Sequence, residues 1–177
     1  MSETAYIGLG SNLALPGETP AQIVQAAIGE LGSAGTITAR SSLYRTQPVG
    51  YADQPAFVNA VAELRTTLQP EELLQALLLV ERRFGRDRSA GIPKGPRTLD
   101  LDLLLVGDLI YSSSTLTLPH PSLTERRFVL APLAEIAPQL HHPLLNKTIE
   151  QLLQELSDTG ANRMEAVQPL SNECNSD

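Results

Sequence analysis

Apolar and polar positions change period repeatedly along residues 1–107, and each change marks an element. "TAYIGLGSN" is a short apolar run that ends in glycine, serine and asparagine, as a strand entering a turn does. "TPAQIVQAAIGELG" has helical spacing, with Gly32 as its expected C-cap. "GTITARSSLYR" predicts a second strand. "AFVNAVAELRTTL" alternates, placing Val58, Ala60, Ala62 and Leu64 on one face. "QPEELLQALLLVERRFG" is a helix bounded by Pro70 and Gly85. "RTLDLDLLLVG" is the fourth strand. Between these lie the Pro- and Gly-bearing stretches "TQPVGYADQP" and "RDRSAGIPKGP", which predict loops. The order βαββαβ is that of a ferredoxin-like α+β sandwich.

Shorter strands and helices follow the fourth strand. Ser122 and Glu125 form a capping-box pattern that predicts the start of a short helix. "VLAPLAEIAP" and "TIEQLLQEL" predict two more helices. Residues 1–157 read as one domain, and 158–177 as a polar, mobile tail.

The fourth strand breaks its own pattern. Asp100 and Asp102 stand two apart and share one face, while Leu99, Leu101 and Leu103 turn into the core. Asp is depleted in strands and costly to bury unpaired. The spacing leaves two readings. The pair holds a hard cation such as Mg²⁺, or the face meets solvent with Arg97 neutralising one carboxylate.

Charge sharpens this picture. The net charge is −7, which argues against a general nucleic-acid or membrane-surface binder. Yet Arg82, Arg83, Arg86, Arg88, Lys94 and Arg97 are six of the thirteen basic residues, with only Asp87 among them. A local basic segment in an acidic chain suits a compact anion, or else a solvated helix end. Phe57 and Asn59, on the other face of the third strand, could stack a flat heterocycle and read its edge, or be covered by the preceding loop. Glu81 lies on the apolar stripe of its helix and needs a partner, most simply a loop arginine. The single cysteine, Cys174, allows no intrachain disulfide. No run of eighteen apolar residues is present, and a cytoplasmic monomer is the expectation.

Taken in order, "YIGLGSN", "SSLYRTQPVGYADQPAFVNAV", "GPRTLDLDLLL" and "LPHPSLTERRFVLAPL" resemble the 6-hydroxymethyl-7,8-dihydropterin pyrophosphokinase family of folate biosynthesis. The resemblance runs from about Ala5 to Leu156. It implies transfer of the pyrophosphoryl group of ATP to the pterin's hydroxymethyl oxygen, with release of AMP. Asp100 and Asp102 would hold two Mg²⁺ ions, and Arg86 and Arg97 would meet the triphosphate from a closing loop. Thr46, Val49, Phe57, Asn59 and Phe128 would make the pterin pocket. Leu74, Glu81, Arg88, Leu103, Thr117, His120 and Arg126 match ATP-side positions. The chain departs from the family in its loop, which lacks the tryptophan often found there and has Ile92 and Lys94 nearby. A competing reading is an RNA-binding module of the same βαββαβ order. Low aromatic content (4%) and the acidic balance oppose it.

Overall fold

The computed structural model describes residues 1–48, 53–89, 94–158 and 168–169. Its elements are β1 (Glu3–Ser11), α1 (Pro20–Glu30), β2 (Thr36–Arg40), β3 (Tyr44–Thr46), β4 (Phe57–Thr66), α2 (Pro70–Arg83) and β5 (Asp100–Val106), followed by β6 (Tyr111–Ser112), β7 (Thr117–Leu118), α3 (Arg127–Ile136), α4 (Ile149–Asp158) and β8 (Gln168–Pro169). The main sheet is antiparallel with order β5-β1-β4-β3-β8, and β2 also pairs with β4. This is the expected βαββαβ sandwich, with its second strand in two pieces along one edge of β4. The edge pair β8 falls within the expected tail; residues 159–167 and 170–177 lie outside the described residues.

The split of the second strand follows from two partners distant in sequence, Val61 and Glu135. Between β2 and β3, Ser41 leaves the ladder to exchange bonds with Val61, its Oγ accepting from the Val61 N–H. Ser42 and Tyr44 then donate to the Glu135 carboxylate on α3. Burial, with that acceptor, pushes the Tyr44 hydroxyl up to about 12.

Two apolar layers hold the sheet. On one face, α1 and α2 bury Ile23, Ala27, Leu73 and Leu77 against Ile7, Leu9, Leu64 and Leu103. On the other, α3 and α4 bury Leu130, Leu133, Ile149 and Leu152 against Tyr6, Val61, Leu104 and Leu105. Strict alternation would not place both Leu104 and Leu105 in the second layer. Leu104 is an extra residue opposite β1, where the register passes from Tyr6↔Leu105 to Ile7↔Leu103, and this bulge reverses the facing beyond it. The second layer covers Tyr6 and Val61 but leaves the neighbouring stretch of β1, β4 and β5 open at Gly10, Phe57 and Asp100.

Two expected caps are not formed. Gly32 lies within a 3₁₀ turn, Leu31–Ser33, that prolongs α1, rather than in a left-handed C-cap. Ser122 makes no side-chain cap; a 3₁₀ turn spans Leu123–Glu125, and α3 begins at Arg127. The end of α2 behaves as expected. Gly85 adopts φ 75, its N–H reaches the Arg82 carbonyl, and the Arg86 N–H reaches the Glu81 carbonyl. This is the Schellman closure, and it aims the chain at Arg86. Gly85→Ala places a Cβ in a left-handed residue and is expected to lower stability by about 1 kcal/mol in urea unfolding. An unchanged midpoint would refute that account of the turn.

Candidate active site

The site grows from the open stretch of sheet. Asp100 pairs with Gly10 across the ladder and Asp102 with Gly8, so two carboxylates rise over a floor without side chains beside them. Leu99, Leu101 and Leu103 are all buried on the other face, as the alternation predicts. Burial lifts the Asp102 carboxyl above the usual range, and the adjacent Asp100 charge lifts it further; His120, Arg126 and Arg97 oppose this. Arg126 Nη1 lies 3.4 Å and His120 Nε2 3.9 Å from Asp102. Burial pushes the His120 imidazole down, towards its neutral form.

Around Asp100 stand three arginines. Arg97 Nη1 is 3.5 Å away, Arg88 Nη2 3.9 Å and Arg86 Nη2 4.0 Å. These are loose approaches rather than closed hydrogen bonds. The Nε atoms of Arg86 and Arg97 are buried and donate to nothing among the described residues. Arg88 instead grips Glu81 with both Nε (3.0 Å) and Nη2 (2.8 Å). Glu81 is 1% exposed and also accepts the Leu101 N–H at 2.8 Å. Its carboxyl is pushed up by burial, with the Leu101 N–H and Arg88 pulling it back. Glu81 therefore anchors Arg88 to the start of β5, the ion-pair role expected for it.

Opposite lies an aromatic pair. Phe57 from β4 and Phe128 from α3 line the same cavity of about 470 Å³ as the two aspartates. The Arg97 guanidinium stands 5.2 Å from the Phe57 ring centre, and that of Arg126 5.8 Å from Phe128. Asn59, buried on the same strand as Phe57, donates Nδ2 to Thr46 Oγ1 at 2.6 Å. A Cβ at Gly10 would fall 2.9 Å from Asn59 Oδ1, so only glycine allows this approach.

One cavity thus gathers Thr46, Phe57, Asn59, Arg86, Arg88, Arg97, Asp100, Asp102, His120, Arg126 and Phe128. Glu81 lines an adjoining hollow that shares Arg86 and Arg88. Besides Glu81, three expected ATP-side residues do not line the cavity. Leu103 belongs to the first apolar layer, Leu74 packs against it, and Thr117 is exposed on β7. Val49 lies outside the described residues. Sequence reasoning missed Asn12 and Gln54. Asn12 is 2% exposed and donates to Gln54 Oε1 (2.9 Å) and the Pro55 carbonyl (3.0 Å) while accepting the Arg97 N–H (2.9 Å). The glycine–serine–asparagine end of β1 hinted at a turn, but its partners are 42 to 85 residues away.

Chemically, the arrangement suits a polyphosphate laid beside a flat heterocycle. Paired carboxylates offer hard oxygen donors, guanidinium groups offer donors to phosphate oxygens, and two rings flank an amide. Among the described residues no group of three or more His, Cys, Asp or Glu could enclose a metal. A cation at Asp100 and Asp102 would take its other ligands from substrate and water, as Mg²⁺ does.

Comparison with known proteins agrees. Residues 6–138 match the family described as 7,8-dihydro-6-hydroxymethylpterin-pyrophosphokinase. A Pseudomonas aeruginosa 2-amino-4-hydroxy-6-hydroxymethyldihydropteridine pyrophosphokinase is 46% identical over 145 residues, 81% of this chain and 86% of that protein. Folic acid synthesis protein fol1 of Pneumocystis carinii is 39% identical over 158 residues, 89% of this chain; the chain spans only 20% of that relative's length. In fold, the chain resembles a Plasmodium falciparum HPPK-DHPS crystal structure with a TM-score of 0.70 at 15% identity, covering 88% of this chain and 43% of that one. The chain belongs to the 7,8-dihydro-6-hydroxymethylpterin-pyrophosphokinase family.

Gly10→Ala tests the amide's placement. The added methyl must displace Asn59, and a pterin titrated as a probe is expected to bind about tenfold or more weaker than to wild type, with far-UV circular dichroism retained. Unaltered pterin affinity by calorimetry would contradict a reading role for Asn59.

Proposed function

We propose that this chain transfers the pyrophosphoryl group of ATP to the hydroxymethyl group of 6-hydroxymethyl-7,8-dihydropterin, releasing AMP, in folate biosynthesis. The observation that carries this reading is the meeting, in one cavity, of the Asp100–Asp102 pair and its arginines with the Phe57–Asn59–Phe128 cluster. Family membership supplies the substrate pair.

In this reading the pterin lies between Phe57 and Phe128, its polar edge on Asn59, with Thr46 fixing the amide. The triphosphate lies across Asp100 and Asp102. Two Mg²⁺ ions held there would neutralise phosphate charge. Arg86 and Arg97 bring donors to the phosphate oxygens, and their buried Nε atoms gain acceptors. Arg88, steadied by Glu81, adds charge at the same end, with His120 and Arg126 beside Asp102. The hydroxymethyl oxygen attacks the β-phosphorus, the bond from that phosphorus to the α–β bridging oxygen breaks, AMP leaves, and the hydroxyl proton passes to water. Placement and charge stabilisation do the catalytic work. The catalytic unit is residues 1–157, acting as a cytoplasmic monomer. Among the described residues no helix is long and apolar enough to cross a membrane.

An HPLC assay with pterin alcohol, ATP and Mg²⁺ tests the reading. AMP is expected only when all three are present; ADP as the sole nucleotide product would overturn it. Asp100→Ala and Asp102→Ala are each expected to lower kcat by about 10³-fold with the fold intact. Wild-type turnover in either variant would remove the metal assignment.

A further inference from the structure

Most cations on the cavity wall already face a carboxylate. Arg86, Arg88 and Arg97 approach Asp100, and Arg126 approaches Asp102. Lys94 differs. It lines the same cavity, is exposed, and makes no ion pair with any described residue. Its charge is not offset by a carboxylate there.

The backbone at Lys94 is also unusual. It adopts φ 60, the left-handed region that a residue with a Cβ rarely enters. Such a conformation persists where surrounding contacts impose it. Here Gln54 Nε2 donates to the Lys94 carbonyl at 3.0 Å. Gln54 is itself held by Asn12, whose amide also accepts the Arg97 N–H three residues beyond Lys94. The buried end of β1 thus ties the segment before β4 to the segment before β5. One borders the aromatic cluster and the other borders the arginines.

We infer that Lys94 is a further triphosphate-binding residue, and that Asn12 and Gln54 are positioning residues that hold it at the cavity mouth. The inference rests on the pyrophosphokinase reading. A lysine suits this place because its long stem lets a point charge follow phosphate oxygens as they rearrange. Because Gln54 lies on the pterin-side segment, the same contact joins the order of one substrate's loop to the binding of the other.

The experiment is calorimetric titration of α,β-methylene-ATP with Mg²⁺ into wild type, Lys94→Gln, Lys94→Arg, Gln54→Ala and the Gln54→Ala/Lys94→Gln double variant, at two salt concentrations. Lys94→Gln is expected to weaken binding about fivefold and flatten its salt dependence. Lys94→Arg should restore both. Pterin alcohol affinity, measured alone, should stay within about twofold for Lys94→Gln. The double variant should bind little worse than Gln54→Ala, since the lysine is no longer placed. Analogue affinity within about twofold of wild type in Lys94→Gln, failure of arginine to restore it, or full additivity in the double variant overturns the inference while leaving the pyrophosphokinase reading standing. A wild type that binds no analogue overturns both.

Discussion

Two carboxylates on adjacent same-face positions of β5, raised over the sheet beside a cavity, are the constraint around which the rest of the structure is arranged. Their charges repel, and burial makes ionised Asp102 costly. Every neighbouring feature answers that cost. Gly8 and Gly10 clear the floor. Arg86, Arg88 and Arg97 gather at Asp100, and Arg126 and His120 at Asp102. Arg126 reaches hydrogen-bond distance of Asp102 at 3.4 Å, while Arg97, Arg88 and Arg86 stay 3.5, 3.9 and 4.0 Å from Asp100, so the pair is only partly compensated. Such a pair suits the metal-bound polyphosphate of the proposed reaction.

The fold supplies this arrangement by covering one face of the sheet completely and the other in part. Helices α1 and α2 fix β1 and β5 from below through Ile7, Leu9, Leu101 and Leu103. On the upper face α3 and α4 stop short, and the bulge at Leu104 lets β5 serve both layers. The uncovered stretch becomes the site. Phe128 and Arg126 enter it from the start of α3, so the helix that builds the second layer also walls the cavity.

Much of this was legible in the sequence, for local reasons. A two-residue period put Asp100 and Asp102 opposite the leucines, and a 3.6-residue period set Glu81 among them; both patterns are intrinsic to one element. The βαββαβ order followed from the same periods. What escaped depended on distant partners. Glu135 breaks the second strand from 91 to 93 residues away. Leu104 becomes a bulge only because β1 lies beside it. Asn12 looked like a turn residue, yet its amide joins two loops far along the chain. The Ser122–Glu125 pattern had the residues of a cap, but the Ser122 N–H donates to His120 Nδ1 and the turn tightens to 3₁₀. Leu74, Leu103 and Thr117, assigned by resemblance alone, stand away from the cavity wall.

Thermal unfolding of wild type and Asp102→Asn, with and without Mg²⁺ and α,β-methylene-ATP, tests the compensated carboxylate pair most directly. With its folded carboxyl titrating above the unfolded value, Asp102 makes the ligand-free protein less stable as pH rises through that window. The amide that replaces it cannot ionise. The variant is expected to melt at or above the wild-type temperature when ligand-free at about pH 7. Wild type should gain about 2 to 3 kcal/mol from saturating metal and analogue, and the variant little of it. A ligand-free variant that melts well below wild type, yet keeps the full gain with ligand, would contradict the account.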